Sequence, residues 1–130
     1  MIRTYRTPLI ILLITLLLAV GAYSARKVEI GDKDSGKMID LKKGDLLDVV
    51  LRENPTTGYG WDVISKVEPC LKKHGGPDYK ADNKMVGSGG RITFHYIASA
   101  KGKTQLKLAY KRSWEKFPPI KTYKVNVRIR

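Results

Sequence analysis

The C-terminal stretch YKVNVRIR, residues 123–130, decides the fold class, because its apolar and polar residues alternate without a break. The apolar positions are Tyr123, Val125, Val127 and Ile129. Successive side chains of a β-strand point to opposite faces of a sheet, so a period of two predicts a strand that buries one face. A helix would repeat every 3.6 residues instead. The end of the chain is therefore predicted to be a half-buried strand.

The same alternation recurs toward the N-terminus. It is present in residues 91–98, 105–110 and 45–52, and shorter apolar stretches occur at Val28–Ile30, Met38–Leu41 and Trp61–Ile64. Turn signals separate these stretches, such as the glycine in residues 99–103. No stretch after the N-terminal apolar run has a convincing amphipathic helical period. The sequence therefore predicts an all-β fold, an immunoglobulin-like antiparallel β-sandwich with about seven or eight strands.

The length and composition favour one folded domain. A single hydrophobic core commonly serves about 100 to 200 residues. The chain has 130 residues, of which 42% are hydrophobic and 28% are charged. This balance excludes a wholly disordered, collagen-like or multi-span membrane protein. The 25 Lys and Arg residues outnumber the 12 Asp and Glu residues, and a net charge of +13 leaves a nucleic-acid or anionic-surface partner open.

The first 24 residues have the features of a signal peptide. Two arginines precede the apolar run Leu9–Val20, and the small residues Ala22 and Ser24 follow it. The run is shorter than the roughly 20 apolar residues that span a bilayer. We therefore expect cleavage after Ser24 and a mature domain of residues 25–130, which is secreted, periplasmic or in a vesicular or lysosomal lumen. An uncleaved membrane anchor is the alternative, because basic residues lie on both flanks of the run.

Cysteine and histidine give no sign of a catalytic or metal site. Cys70 is the only cysteine, so an internal disulfide is impossible, and such a residue is most often a small buried hydrophobe. His74 and His95 lie far apart, with no Cys or carboxylate grouping at metal-ligand spacing around them. The sequence therefore predicts no metal and no cofactor. A hydrolase that uses Cys70 or a serine would lack recognisable His and acidic partners.

The connection NPTTGYGW, residues 54–61, is predicted to be a rigid turn between two strands. The side chain of Asn54 can hydrogen-bond to the backbone two residues on. Pro55 fixes φ, the two threonines that follow are restricted at χ1, and Gly58 permits a positive φ. These residue types predict a stiff protrusion rather than a mobile loop.

Two further connections stand out by composition. The sequence GSGG, residues 87–90, follows the apolar pair Met85–Val86, and its missing side chains let the backbone lie against another surface. The sequence RSWE, residues 112–115, places an aromatic ring and a guanidinium on a connection. Each pattern also occurs in ordinary turns, so neither one identifies a function by itself. A phosphate-binding loop is not predicted at residues 87–90, because the spacing and the lysine of a P-loop are missing.

In their sequences, order and spacing, the three connections resemble the chagasin-like inhibitors of papain-family cysteine peptidases, the ICP family. The resemblance covers essentially the whole mature domain. Residues 54–61 match the family motif N-P-T-T-G-[YF]-x-W throughout, and residues 87–90 match its G-x-G-G loop. Residues 112–114 match R-P-W in part, because Ser113 stands where the family usually has proline. This chain therefore departs from the family in the rigidity of its third loop.

The resemblance implies a protein inhibitor, not an enzyme, in which three loops form one edge that plugs a protease cleft. The implied protease-binding residues are Asn54, Pro55, Thr56, Thr57, Gly58, Tyr59, Met85, Val86, Gly87, Ser88, Gly89, Gly90, Arg112, Ser113 and Trp114. By resemblance, Thr56 lies close to the catalytic Cys-His pair, and Val86 or Met85 faces the apolar S2 pocket. Arg112 and Trp114 would then contact the primed side of the protease cleft. The implied partner is a papain-like, cathepsin-type cysteine protease, bound reversibly and competitively by a monomer.

Two points stay open at the level of the sequence. Tyr59 and Trp61 suit both direct contact with a protease and core support for the first loop. A basic exported module that binds nucleic acid or anionic surfaces is the alternative function. Its cations are spread along the polar face of nearly every predicted strand, which favours solvation, and aromatics do not interleave with a basic stripe as in single-strand binders. We therefore expect no nucleic-acid partner, and contact with a membrane only during export.

Overall fold

The computed structural model describes residues 24–130, so the predicted signal peptide lies outside the described residues apart from Ser24. The strands are β1 (Lys27–Gly31), β2 (Met38–Leu41), β3 (Leu46–Glu53), β4 (Gly60–Val63), β5 (Leu71–Lys73), β6 (Asp78–Ala81), β7 (Gly90–Ala98), β8 (Gly102–Lys111) and β9 (Lys121–Ile129). Short 3-10 turns occupy Asp32–Asp34 and Pro55–Thr57. Within the described range, no helix is long and apolar enough to span a membrane.

The strands form two facing sheets, which confirms the predicted immunoglobulin-like sandwich. In the first sheet the order is β1-β3-β7, and β5 and β6 both pair with β7 as well. In the second sheet the order is β2-β9-β8-β4. Each sheet contains one parallel pair, β1 with β3 and β2 with β9, and the other pairs are antiparallel.

The core lies between the sheets and is built by the predicted alternation. Tyr123, Val125, Val127 and Ile129 of β9 are all buried, whereas the residues between them are partly or fully exposed. The inward residues of β3 and β8 are buried against them: Leu47, Val49, Leu51, Leu106, Leu108 and Tyr110. Burial of each such side chain contributes about 1.5 to 3 kcal/mol to the hydrophobic free energy of folding. Cys70 is part of this core, as predicted for a small buried hydrophobe.

The structure differs from the sequence prediction in strand number and in the direction of two pairs. Residues 24–130 contain nine strands. The sequence does not predict β5 and β6, because both are short and their exposure does not alternate. The sheets are mixed rather than purely antiparallel. Between β1 and β3 the chain crosses to the second sheet, forms β2 and then returns. No hairpin therefore joins β1 to β3, or β2 to β9. Only a hairpin connection forces neighbouring strands to run antiparallel.

His95 links three strands on the outer face of the first sheet. Its Nδ1 atom lies 2.7 Å from Oδ1 of Asp48 on β3, and its Nε2 atom lies 2.8 Å from Oδ2 of Asp78 on β6. Asp48 is buried and also pairs with the Lys27 ammonium at 3.0 Å. The hydrogen bond to Asp48, reinforced by Asp78, raises the pKa of His95 above its ordinary value. An imidazolium donates to both carboxylates, whereas a neutral ring donates to one.

We expect the His95→Gln substitution to destabilise the protein more at acidic than at alkaline pH. Because the pKa of His95 is higher in the folded than in the unfolded chain, the stabilisation is complete below about pH 6.5 and fades as pH rises through the folded-state pKa. The free energy of unfolding should differ between wild type and variant by about 1 kcal/mol more near pH 5.5 than near pH 9. Urea unfolding across this range measures the gap, and a constant gap would show that the proton on His95 stabilises nothing.

Candidate functional site

The first loop, residues 54–59, is held in one conformation by its own side chains, and we call it the wedge. Oδ1 of Asn54 accepts hydrogen bonds from the backbone N–H of Thr56 at 3.2 Å and from its hydroxyl at 2.6 Å. The Thr57 hydroxyl donates to the carbonyl of Asn54 at 2.7 Å and accepts from the N–H of Tyr59 at 3.2 Å. Gly58 closes the turn with φ of 80°, in the left-handed region that glycine adopts without strain. The predicted turn is present, and these hydrogen bonds restrict its conformation.

An aromatic cluster supports the base of the wedge. Tyr59 stacks on Tyr110 of β8 with ring centroids 5.6 Å apart, and Trp61 packs against the same ring at 5.0 Å. The buried Trp61 donates from its indole nitrogen to the carbonyl of Arg52 at 2.8 Å. The Tyr110 hydroxyl accepts from the N–H of Asn54 at 3.2 Å. Trp61 is therefore a core support for the wedge, and the partly buried Tyr59 also packs against the core.

The second loop runs from β6 to β7 and presents two apolar side chains to solvent. Met85 is 75% exposed and Val86 is fully exposed. The loop is closed at its base, where the N–H of Asp82 donates to the carbonyl of Gly89 at 3.0 Å. A side chain at Gly90 would collide with the backbone of β6, so this glycine of the G-x-G-G motif permits close pairing of the two strands.

The third loop begins with a tight turn, residues 112–115, in which the N–H of Glu115 donates to the carbonyl of Arg112 at 3.2 Å. Trp114 is 69% exposed. Ser113 is the second residue of this turn, a position that favours proline, so the turn stands at the place of the R-P-W motif although serine replaces proline there. A side-chain hydrogen bond to Glu115 raises the pKa of Arg112, and the two groups lie 2.9 Å apart.

Direct contacts join the three loops into one edge. The side-chain amide of Asn54 donates to the carbonyl of Gly87 at 3.1 Å, which ties the wedge to the second loop. Nε of Arg112 donates to the carbonyl of Thr57 at 2.9 Å, and its guanidinium lies 4.4 Å from the ring centre of Tyr59. The ring of Trp114 contacts Gly58 so closely that a Cβ atom there would overlap it. The structure therefore brings together all three segments that the sequence singled out.

Exposed apolar side chains concentrate on this edge. Among residues 24–130, eight large apolar side chains are exposed, and five of them lie on the second and third loops: Met85, Val86, Trp114, Phe117 and Ile120. Sequence reasoning missed Phe117 and Ile120, because they stand in the loop sequence FPPI, which has no strand or helix period. Large apolar side chains that are exposed together mark an interaction surface.

The edge has the features of a binding surface rather than a catalytic centre. Cys70 and His95 both lie off the edge, Cys70 in the core and His95 between two aspartates. Within the described part of the chain, no group of three His, Cys, Asp or Glu side chains could hold a metal ion. The edge offers instead a polar, internally bonded wedge between two apolar flanks.

Sequence comparison places the chain among peptidase inhibitors. Residues 40–127 match the chagasin family of peptidase inhibitors, family I42. Amoebiasin-1 of Entamoeba histolytica is 27% identical over 101 residues, which span 75% of this chain and 95% of the relative. Chagasin of Trypanosoma cruzi is 30% identical over 84 residues, which span 62% of this chain and 76% of the relative. The matches are to inhibitors, not to enzymes.

Comparison with solved structures agrees. The crystal structure of the cysteine protease inhibitor EhICP2 from Entamoeba histolytica superimposes with a TM-score of 0.76 at 26% identity, over 84% of this chain and all of that one. PbICP-C, solved in complex with falcipain-2, has a TM-score of 0.57 at 18% identity, over 82% of this chain and all of that one, which shows a shared fold. The family match covers most of the sandwich and both flanks of the wedge, so the chain belongs to the chagasin family of peptidase inhibitors.

Proposed function

We propose that the chain inhibits papain-family cysteine proteases reversibly and competitively by placing the wedge in the catalytic cleft and the second and third loops on either side. One observation carries the proposal: three loops are hydrogen-bonded and packed into one edge, whose centre is polar and whose flanks expose apolar side chains. A preformed surface of this kind loses little conformational entropy on docking. The interface should have the standard size of about 1,600 Å² in total.

Internal hydrogen bonds explain why the wedge would bind without being cut. The carbonyls of Asn54 and Pro55 accept bonds from the N–H groups of Thr57 and Gly58, and the carbonyl of Thr57 accepts from Arg112. Cleavage requires a carbonyl aligned with the attacking thiolate. The wedge would have to give up these bonds and straighten to offer one. We therefore expect inhibition with the chain intact.

The two flanks would have different roles. Met85 and Val86 would fill the apolar pocket on the unprimed side, since both side chains point into solvent in the free protein. Trp114 would stack on the primed side. The guanidinium of Arg112 is engaged by Thr57, Glu115 and Tyr59, so we assign it to positioning the wedge rather than to direct contact with the protease.

Titration of residues 25–130 against papain tests the proposal. We expect stoichiometric loss of papain activity, no effect on trypsin, and an intact inhibitor band after prolonged incubation. Rapid cleavage within the wedge, or equal action on both proteases, would contradict it. A salt series tests the alternative, a basic module that binds nucleic acid. Binding driven by phosphate contacts weakens sharply between low and moderate ionic strength, whereas protease inhibition by the wedge should persist.

Trp114→Ala should weaken inhibition by about 1 to 3 kcal/mol, roughly 5- to 150-fold in the inhibition constant, because it removes an exposed aromatic anchor. Ile64→Ala is the matched control, since Ile64 is also exposed but follows β4, away from the three loops. Inhibition constants measured on two papain-family enzymes check the prediction. If Trp114→Ala leaves both constants unchanged, the third loop is not part of the interface.

We also propose that residues 1–24 direct export and are removed. The proposal is supported by the sequence of that segment, which combines arginines, an apolar run and small residues. N-terminal sequencing of the protein recovered from its native source tests it. A mature chain that starts at Ala25 supports cleavage, and an intact Met1 that fractionates with membranes supports the anchor.

A further inference from the structure

The third loop does not end at Trp114, and its remaining part exposes two more large apolar side chains. Phe117 is 76% exposed and Ile120 is 60% exposed. They enclose Pro118 and Pro119, and we call residues 117–120 the outer apolar segment. It lies between β8 and β9, at the end of the sandwich that carries the wedge, because β8 pairs with β4 where the wedge ends.

The outer apolar segment is anchored at its last residue, and both of its apolar side chains are exposed. Its two prolines fix φ and offer no N–H group. Its last residue is anchored, since the N–H of Ile120 donates to the carbonyl of Tyr110 at 3.1 Å. The Lys121 ammonium lies 4.6 Å from the centre of the Tyr110 ring. Trp61 and Tyr110 are buried, whereas the Phe117 and Ile120 side chains remain in solvent.

The charges beside the segment are positive. Glu115 is neutralised by Arg112 at 2.9 Å. Lys116 is exposed and forms no ion pair among the described residues, and Lys121 is exposed as well. A complementary surface therefore has an apolar patch bordered by carboxylates.

We propose that the outer apolar segment is a second anchor, which docks on the surface of the bound protease outside the catalytic cleft, on an apolar patch bordered by acidic side chains. The inference rests on the proposed function. Continuity with the protease-binding edge supports it, because Trp114 contacts Gly58 of the wedge and the segment follows Trp114 directly. Since a buried aromatic side chain covers about 150 to 250 Å², this anchor would set preference among proteases that share a similar cleft.

The test compares single substitutions on a panel of papain-family proteases. Phe117→Ser and Ile120→Ser should raise the inhibition constant about 10- to 100-fold on some enzymes and little on others, mainly through faster dissociation. Ile64→Ser is the matched control, because Ile64 is 52% exposed away from the loops, and it should change nothing. Lys116→Glu should slow association and reduce its dependence on salt. Melting temperatures should be unchanged for all four variants.

The outcomes separate the inference from the proposed function. If the wild-type domain inhibits no papain-family enzyme, the proposed function fails. If Trp114→Ala weakens inhibition but the two serine variants do so on no enzyme, the function stands and the second anchor is wrong. Sedimentation of the free protein tests whether a second copy of the chain binds the segment instead. If the protein is a dimer, and Phe117→Ser separates it without changing inhibition, the segment serves self-association and the proposal is wrong.

Discussion

Replacing Thr56 by lysine should weaken papain inhibition by about 3 to 5 kcal/mol, hundreds- to thousands-fold, while the domain keeps its melting temperature. Thr56 is exposed at the tip of the wedge, so a lysine there meets water in the free protein. On docking the same side chain would enter the catalytic slot, where an ammonium has neither room nor a partner. An unpaired buried charge is among the most costly defects of an interface.

Two controls isolate the cause. Thr56→Ser keeps the hydroxyl that donates to Oδ1 of Asn54 and should inhibit nearly as wild type does. Ile64→Lys adds the same charge at an exposed position away from the three loops and should change inhibition little. Inhibition constants and thermal denaturation are measured on each variant. If Thr56→Lys lowers inhibition and melting temperature together, Thr56 stabilises the fold and the wedge is wrongly assigned.

The sequence predicts strands correctly where one face of the strand is buried and the other is exposed to solvent. Val125 and Val127 of β9 alternate with polar residues, and the core follows that alternation. The two missed strands lack this signal, since β6 is exposed along its whole length and β5 has a single buried residue. Both strands form by pairing with the backbone of β7, and backbone pairing leaves no pattern in the side chains of the sequence. The parallel pairs were likewise hidden, because pairing direction depends on which sheet each strand joins.

The positions of the three loops could be predicted from residue types, but the contacts that each loop side chain makes could not. Asn54, Pro55 and Gly58 have conformational preferences that act within the loop itself, and the structure follows them. The resemblance implies that Arg112 contacts the protease, but no residue type in the loops indicates that its guanidinium also bonds to the carbonyl of Thr57, a residue far away in the sequence. Contacts of this kind depend on how the loops come together in space. Phe117 was missed for a related reason, because exposure is a property of the folded chain.

Gly58→Ala should weaken inhibition by about 1 to 3 kcal/mol, as much as removing the Trp114 ring, although it adds one methyl group. Gly58 has φ of 80°, where a residue with a side chain is strained by about 1 kcal/mol. The new Cβ would also overlap the Trp114 ring, with Cζ2 at 2.9 Å. Trp114 is exposed, so its ring can swing away at little cost to folding. The third loop would then lose its contact with the wedge, and the Trp114 ring would no longer be positioned to bind the protease.

Gly36→Ala separates strain from the clash, because Gly36 has φ of 89° and open space around the position of a Cβ atom. Both alanine variants should lose about 1 kcal/mol of folding free energy, and only Gly58→Ala should lose inhibition. In a Trp114→Ala background the clash is absent, so Gly58→Ala should cost much less affinity there than in the wild type. Additive losses in the double variant would show that Gly58 acts through the backbone of the wedge alone, and the packing of Trp114 on Gly58 would then have no part in presenting the edge.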